Sequence, residues 1–433
     1  MKIIKLSDLS KKDYDRIVKR SAGRNKEIIP KVRKIMNKVK EKGDEVILEK
    51  YRKRYRSKNY ESIKVTTSEI KNAYQKVDSN LIPALNQMIK NITAVHKAQL
   101  PQKKDTIVSP EKGITVWREW RAVERIGLYI PGGKAVYPSS VLMSTIPAKI
   151  AGCKEIIMCS PPADGGQISA STIVAADMVG LEKIFKVGGA EAIAAMAYGT
   201  KTIPKVYKIF GAGNSFVTLA KMITMKEVAI DMPAGPSEVM VLADESANHA
   251  WVVADLLADA EHGFDSACII ITIKSQNYAI AQNCAEEIEI QLKKLSTKER
   301  IKESLNKYGL ILEVKTMDEA IEFINNYAPE HLEIMIKNPE TITSRIQNAG
   351  SIFLGDYTSK SSGDYATGAN HVLPTGGAAK MYPPLGVEAY GKWMQIQKCT
   401  KEGLRKIKKT IETIAEVEQL PAHENATSII FVK

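Results

Sequence analysis

The sequence predicts an α/β protein built on two doubly wound parallel sheets, and three observations carry that prediction. From about Gly127 onward, short β-rich runs alternate with helical stretches, the pattern of parallel strands covered by helices on both faces. Three glycine clusters, Ile130-Pro131-Gly132-Gly133, Val187-Gly188-Gly189-Ala190 and Gly211-Ala212-Gly213-Asn214, each follow or flank an expected strand. At 433 residues the chain is too long for one ordinary core, and its strands suffice for two sheets.

The first quarter reads as helical. Ile29 to Tyr51 and Ser79 to Lys97 carry apolar residues at helical spacing, and Thr66-x-x-Glu69 has the form of a capping box. Glu155 to Cys159 reads as a strand, Ser169 to Gly180 as helical, and Lys183 to Val187 as a strand again. Glu227 to Met232, Glu238 to Ala243, Cys268 to Ile273, Leu310 to Val314 and Ser351 to Leu354 continue the strand series. Gly403 to Leu420 places Leu404, Ile407, Ile411, Ile414 and Leu420 on one stripe opposite lysines and glutamates; Pro421 is expected to stop this helix. Such a stripe must dock on its own chain or on a partner subunit.

Composition narrows the class. Hydrophobic residues make up 44% and charged residues 26% of the chain, as in a soluble globular protein. No apolar run approaches the ~18 residues of a membrane helix, and the N-terminus lacks a signal-peptide apolar core, so a cytoplasmic location is expected. The five cysteines are scattered without a Cys-x-x-Cys pair, which argues against a zinc finger or a disulfide framework. The net charge of +13 raises nucleic acid as a partner. Much of it lies in the first 60 residues, notably Lys50 to Lys58, and no nucleic-acid motif accompanies it. A lysine-rich solvated surface is therefore favoured, with no nucleic acid and no membrane as partners.

Four of the six histidines sit in acidic or turn-like settings: Glu261-His262, Glu330-His331, Asn370-His371 and His423-Glu424. Imidazoles in such settings serve as metal ligands and general bases. Asp259 and His262, three apart on an expected helix, can share one divalent cation or form a surface helix pair. Asp364 and His423 are the candidates to complete a zinc-like site. Glu330 and His331, expected on a turn, can divide general-base work between a hydroxyl and a water, or simply open a helix. The turn around His371 reads equally as architecture. The glycine clusters suit a bound pyrophosphate but also tight strand–helix turns. Neither the full dinucleotide fingerprint nor a Walker lysine is present.

These segments together resemble the histidinol dehydrogenase family. The resemblance rests on Arg125-Ile126-Gly127-Leu128-Tyr129-Ile130-Pro131-Gly132-Gly133, Phe210 to Asn214, Ile230 to Glu238, Ala260-Glu261-His262, Pro329 to Leu332, Gly363 to Ala366, Asn370 to Pro374 and Ala422-His423, in the family's order. It implies a homodimer that oxidises L-histidinol to L-histidine in two NAD-dependent steps with one zinc ion per subunit. It also implies two Rossmann-like domains, a helical N-terminal arm and a C-terminal tail that swaps between subunits. The expected divisions are an arm over 1–25, a larger domain over 26–128 with 236–385 carrying the metal and catalytic residues, a nucleotide-binding domain over 129–235, and a tail over 386–433.

Position by position, the resemblance assigns Asp259, His262, Asp364 and His423 to the metal, His331 to the alcohol proton and Glu330 to the activation of water. Ser237, His371 and Glu418 match substrate contacts, alongside the metal ligands and His331. Tyr129, Glu191 and Asn214 match cofactor contacts. Glu418 and His423 would reach the other subunit's site. Three departures stand out: Asp259 and Glu191 replace the family's usual glutamines, and Ala212 its usual proline. Aspartate is an ordinary zinc ligand, so metal is expected to be retained; Glu191 beside a ribose is expected to favour NAD over NADP. The nearest rival is a relative oxidising another small amino or sulfonated alcohol; a catalytically dead relative is disfavoured by Glu330, His331 and Asp364.

Overall fold

The structure is a computed structural model that describes residues 1–20, 27–55, 60, 62–132, 136–163, 165–275 and 279–432. Gly133, residues 56–58 of the basic run and the expected boundary at 25–26 lie outside the described residues. Thirteen strands form among them: β1 (Lys2–Lys5), β2 (Ile114–Ala122), β3 (Arg125–Tyr129), β4 (Glu155–Ser160), β5 (Lys183–Lys186), β6 (Lys208–Phe210), β7 (Ala229–Ile230), β8 (Glu238–Ala243), β9 (Ala267–Ile273), β10 (Gly309–Val314), β11 (His331–Met335), β12 (Ser351–Leu354) and β13 (Gly391–Cys399).

Both expected parallel sheets are present. The six-stranded sheet runs β1-β10-β9-β8-β11-β12, and the five-stranded sheet runs β5-β4-β3-β6-β7. Their strands are apolar on both faces because helices cover both. In β8, Val239 and Val241 pack on the helices His249–Ala260, Ile280–Leu292 and Lys298–Tyr308, while Met240 and Leu242 face Met317–Tyr327. A separate antiparallel ribbon pairs β2 with β13, from Ile114 opposite Cys399 to Ala122 opposite Gly391.

Three sequence expectations are corrected. The N-terminal arm is not wholly helical: β1 adds an edge strand to β10, pairing Lys2 with Leu310, before the helix Lys11–Lys19. Four residues are too few to show a period, so the open edge of β10 decides their state. Residues 27–98 do not pack with the six-stranded sheet as the expected division had it. Val32, Met36 and Ile47 share a core with Ile157 and Phe185 on one face of the five-stranded sheet. Leu85 and Ile92 join Ile126 and Leu128 on the other. An amphipathic stripe shows that a helix needs an apolar partner but does not name which sheet supplies it.

The third correction concerns the tail. The helix ends at Val417, and Pro421 opens a second helix, Pro421–Ser428, instead of only stopping the first. Proline suits a first helical position because the N–H it lacks there has no intrahelical acceptor. Ile414, Val417, Leu420, Ile429 and Val432 remain exposed along this hairpin. Elsewhere, Ile29 to Tyr51 divides at Gly43 (φ 54°) into Ile29–Lys42 and Asp44–Tyr55, and the Thr66–Glu69 capping box forms as expected.

Candidate functional site

The site begins at the amino ends of β8 and β11, which lie side by side with His331 opposite Val239. Ser237 and Glu330 therefore each sit one residue before their strand, at the mouth of a cavity of about 370 Å³. The Glu330 Oε2 accepts from the Glu238 N–H at 2.8 Å and lies 3.2 Å from the Ser237 hydroxyl oxygen. The His331 Nδ1 lies 3.0 Å from the Glu238 carbonyl oxygen. A carbonyl can only accept, so Nδ1 carries a proton, and in the neutral ring Nε2 keeps the lone pair. That Nε2 stands 3.8 Å from Asp364 Oδ1. The sequence expectation of a turn at His331 is thus replaced by the first position of a buried strand, which fixes the ring.

Asp259 and Asp364 come from two helices, His249–Ala260 and Lys360–Tyr365, and meet at one side chain absent from the expected site. The Lys360 Nζ is 2.9 Å from Asp259 Oδ1 and 2.7 Å from Asp364 Oδ2, and the lysine side chain is 2% exposed. Asp259 Oδ1 also accepts from the Ser237 hydroxyl at 2.9 Å and lies 3.4 Å from His262 Nδ1. Its Oδ2 is buried without a partner. His262 falls just beyond its helix, near Asp259 as the three-residue spacing predicted. His371 lines the same cavity; its Nδ1 faces the Asp364 carbonyl at 3.0 Å and its Nε2 the Ser140 hydroxyl at 3.1 Å.

Electrostatics separate these carboxyl groups. Burial raises the Glu330 carboxyl to about 7, with the Asp259 and Glu238 charges adding and His331 opposing. Burial would also raise Asp259 and Asp364. The Lys360 ammonium and the adjacent imidazoles outweigh it and hold both below the usual carboxylate range. Burial depresses His331, but Glu330, Asp364 and Asp259 together more than offset it, leaving a net raise. Beneath the cluster, burial and the adjacent Asp255 carboxyl push Glu333 well up. Arg20 anchors the floor: it forms a buried pair with Glu238 and donates to the Tyr327 and Ala328 carbonyls.

The five-stranded sheet faces the same cleft with its carboxyl ends. Tyr129 ends β3 and Gly211 follows β6, at the point where strand order reverses. A second cavity of about 570 Å³ adjoins the first, sharing Tyr129 and Asn214. Gly132, Gly188 and Gly189 line it, and a Cβ at Gly188 would meet the Pro161 side chain at 2.4 Å. Gly211, at φ +112°, lines the first cavity, where a Cβ would meet the Tyr129 carbonyl oxygen at 2.0 Å. The Tyr129 hydroxyl accepts from Gly189 N–H at 3.2 Å, and Asn214 caps the helix Ser215–Thr224 through Phe216 and Val217. Glu191 also lines this cavity, but its carboxylate is paired with the Lys50 ammonium at 2.7 Å. The expected repulsion of a ribose phosphate by Glu191 is therefore offset by Lys50, which lies far upstream of the second glycine cluster in the chain.

Glu418 and His423 are not brought to this site. Both are exposed on the C-terminal hairpin, outside the linings of both cavities. The sequence reading missed Lys360, Arg20 and Lys50. Lys360 carried a signal, since it stands four residues before Asp364 on one helical face. Arg20 and Lys50 carried none, because their partners are distant in sequence.

Fold and site together define the class: a two-sheet α/β protein with a buried imidazole–carboxylate cluster on one side of a cleft and a glycine-walled pocket on the other. Residues 18–431 match the family model described as histidinol dehydrogenase, and the chain belongs to the histidinol dehydrogenase family. It is similar to a protein named histidinol dehydrogenase from Methanocaldococcus jannaschii, 45% identical over 426 residues and covering 98% of each chain. The relative of the same name from Bacteroides fragilis is 45% identical over 430 residues, covering 99% of this chain and 98% of that one. The crystal structure of histidinol dehydrogenase from Elizabethkingia anophelis matches with a TM-score of 0.92 at 39% identity, covering 99% of this chain and 97% of that one.

Proposed function

We propose that this protein oxidises L-histidinol to L-histidine through L-histidinaldehyde, reducing two NAD per substrate, in the cytoplasm. The observation that carries the reading is the pair Glu330 and His331 at the amino end of β11, with His331 Nε2 left to accept a proton. In the first oxidation His331 Nε2 takes the hydroxyl proton. NAD, when bound, accepts the hydride from the carbon bearing that oxygen. In the second, Glu330 takes a proton from the water that adds to the aldehyde carbon, and the hydrate is oxidised in the same way. Ser237 hydrogen-bonds Asp259 and lies beside Glu330; with His371 it is placed to hold the substrate's polar end. The glycine-walled cavity fits a dinucleotide, since Gly132, Gly188 and Gly189 let backbone line it closely and two helix N-termini meet there to receive phosphates.

The homodimer implied by the family is supported by the exposed apolar face of the C-terminal hairpin. In it Glu418 and His423 of one subunit would complete the site of the other. None of the helices formed by described residues is long and apolar enough to cross a membrane. Zinc, with Asp259, His262 and Asp364 plus His423 of the partner subunit as ligands, is the cofactor the resemblance implies. The residues as folded do not fit a divalent ion. Lys360 Nζ stands between the two carboxylates, and among the described residues no three His, Cys, Asp or Glu side chains converge to hold one. The steps above accordingly use protein groups and NAD alone. The test is NADH yield from L-histidinol: two per substrate with L-histidine as product is expected. No NAD reduction with L-histidinol, alongside turnover of another small amino or sulfonated alcohol, would overturn the assignment.

A further inference from the structure

Two buried carboxylates converging on one point create a demand for a cation, because an uncompensated charge in such a place is expensive. At Asp259 and Asp364 that cation is already part of the chain. Lys360 opens the helix Lys360–Tyr365, places its ammonium within 2.9 Å of one carboxylate and 2.7 Å of the other, and is almost wholly buried. Lysine is seldom buried unless paired, and here it is paired twice, once across to the helix His249–Ala260 and once along its own helix. Asp259 Oδ1 is further committed to the Ser237 hydroxyl, and the His262 Nδ1 lies 3.2 Å from the Asp259 carbonyl oxygen. Asp259 Oδ2 alone is left over.

We propose that the Lys360 ammonium is the resident cation of this site, bridging Asp259 and Asp364 and standing in for a divalent metal. Zinc would need oxygens at about 2.0–2.2 Å. Both carboxylates present an oxygen to the ammonium instead, and a second positive charge beside it meets like-charge repulsion in a buried setting. An ammonium differs from a metal in what it can do: it donates hydrogen bonds and fixes two carboxylates, but offers no exchangeable coordination position. It also cannot be stripped by a chelator. Lys360 lines the reaction cavity, so the substitution places a tethered point charge, not a Lewis acid, beside the substrate. The presence of Asp259 follows the same logic, since an anion opposite Lys360 completes a charge balance that an amide would not.

The inference rests on the proposed function only for which metal is displaced, and its readout is metal content, not turnover. The full-length protein is dialysed against a strong chelator, re-equilibrated with zinc salt, desalted and assayed for metal by elemental analysis, with affinity measured by competition against a chromophoric chelator. Wild-type protein is expected to hold far less than one zinc per subunit, and its melting temperature is expected to ignore chelator and zinc alike. Lys360→Arg is expected to stay metal-poor. Lys360→Met, which keeps the side chain's bulk without its charge, is expected to bind zinc some 10–100-fold more tightly than wild type. One tightly held zinc per wild-type subunit, with thermal stability lost to the chelator and restored by zinc, would overturn the proposal. Should Lys360→Met fail to fold, the wild-type measurement decides alone. A metal-poor, stable wild-type protein that reduces no NAD with L-histidinol would instead count against the function and leave this inference standing.

Discussion

In the five-stranded sheet the functional loops follow the carboxyl ends of the strands, whereas in the six-stranded sheet the functional residues precede the amino ends. Tyr129 and Gly211 close β3 and β6; Ser237 and Glu330 come one residue before β8 and β11. The first arrangement is the usual one for open α/β sheets, because strand carboxyl ends deliver the chain to helix N-termini, where backbone N–H groups receive phosphate. The second has no such dipole to exploit. It relies on side-chain charge: Arg20 under Glu238, and Lys360 between Asp259 and Asp364. One half of the cleft is therefore a backbone site and the other a charge site, and each should fail to a different kind of lesion.

The largest separation is expected from His331→Ala. Removing the proton acceptor should cut turnover by roughly 10²–10⁴-fold, while NAD affinity, followed by fluorescence titration, stays within a few-fold. Equal losses in both would show that the two halves are not independent. Arg20→Ala removes one member of a buried pair and should lower stability by about 3–5 kcal/mol, read as a drop in melting temperature. Gly189→Ala, at φ +72° in the wall of the second cavity, should cost about 1–3 kcal/mol in backbone strain and weaken NAD binding. Because only the backbone site is touched, the His331–Glu330 geometry should survive.

Acidity offers a finer test. The Glu330 carboxyl is raised from its ordinary 4.5 to about 7, so below neutrality it holds its proton and cannot serve as a base. Aldehyde oxidation should therefore rise with pH through about 7 and level off above it. The linked stability has the opposite slope. A raised carboxyl contributes stability that is complete below 4.5 and lost as pH rises through about 7. Glu330→Gln should flatten both profiles; an unchanged rate profile in that variant would assign the titration elsewhere. The smallest effect belongs to Lys50→Ala at the half-exposed pair with Glu191. Freed of its counter-charge, Glu191 should turn away NADP by a further factor of a few, within the ~1 kcal/mol of an exposed ion pair.

Much of this was legible before any coordinates. Alternation of strand and helix announced two sheets, and the Asp259–His262 spacing correctly placed those groups together, since local periodicity is set by local geometry. What the sequence misread were relationships without a local signature. His331 looked like a turn residue because Pro329 precedes it, yet pairing with β8 makes it a strand start. Glu191 was read as a carboxylate beside a ribose, and only the packing of the helix Asp44–Tyr55 against the five-stranded sheet supplies Lys50. The helices of residues 27–98 were assigned to the wrong sheet because a stripe carries no address.

The sequence by itself determined the α/β class, the glycine loops, the histidines and carboxylates of the cleft, though not Lys360's role between them, and, through its motifs, the family. These are properties of composition and short-range spacing. Tertiary structure decided which ends of the two sheets face each other, which tautomer His331 holds, and which cation stands between Asp259 and Asp364. The physical reason is common to all three. Each depends on groups far apart in the chain being desolvated together, and the energy of a buried charge is set by its neighbours in space.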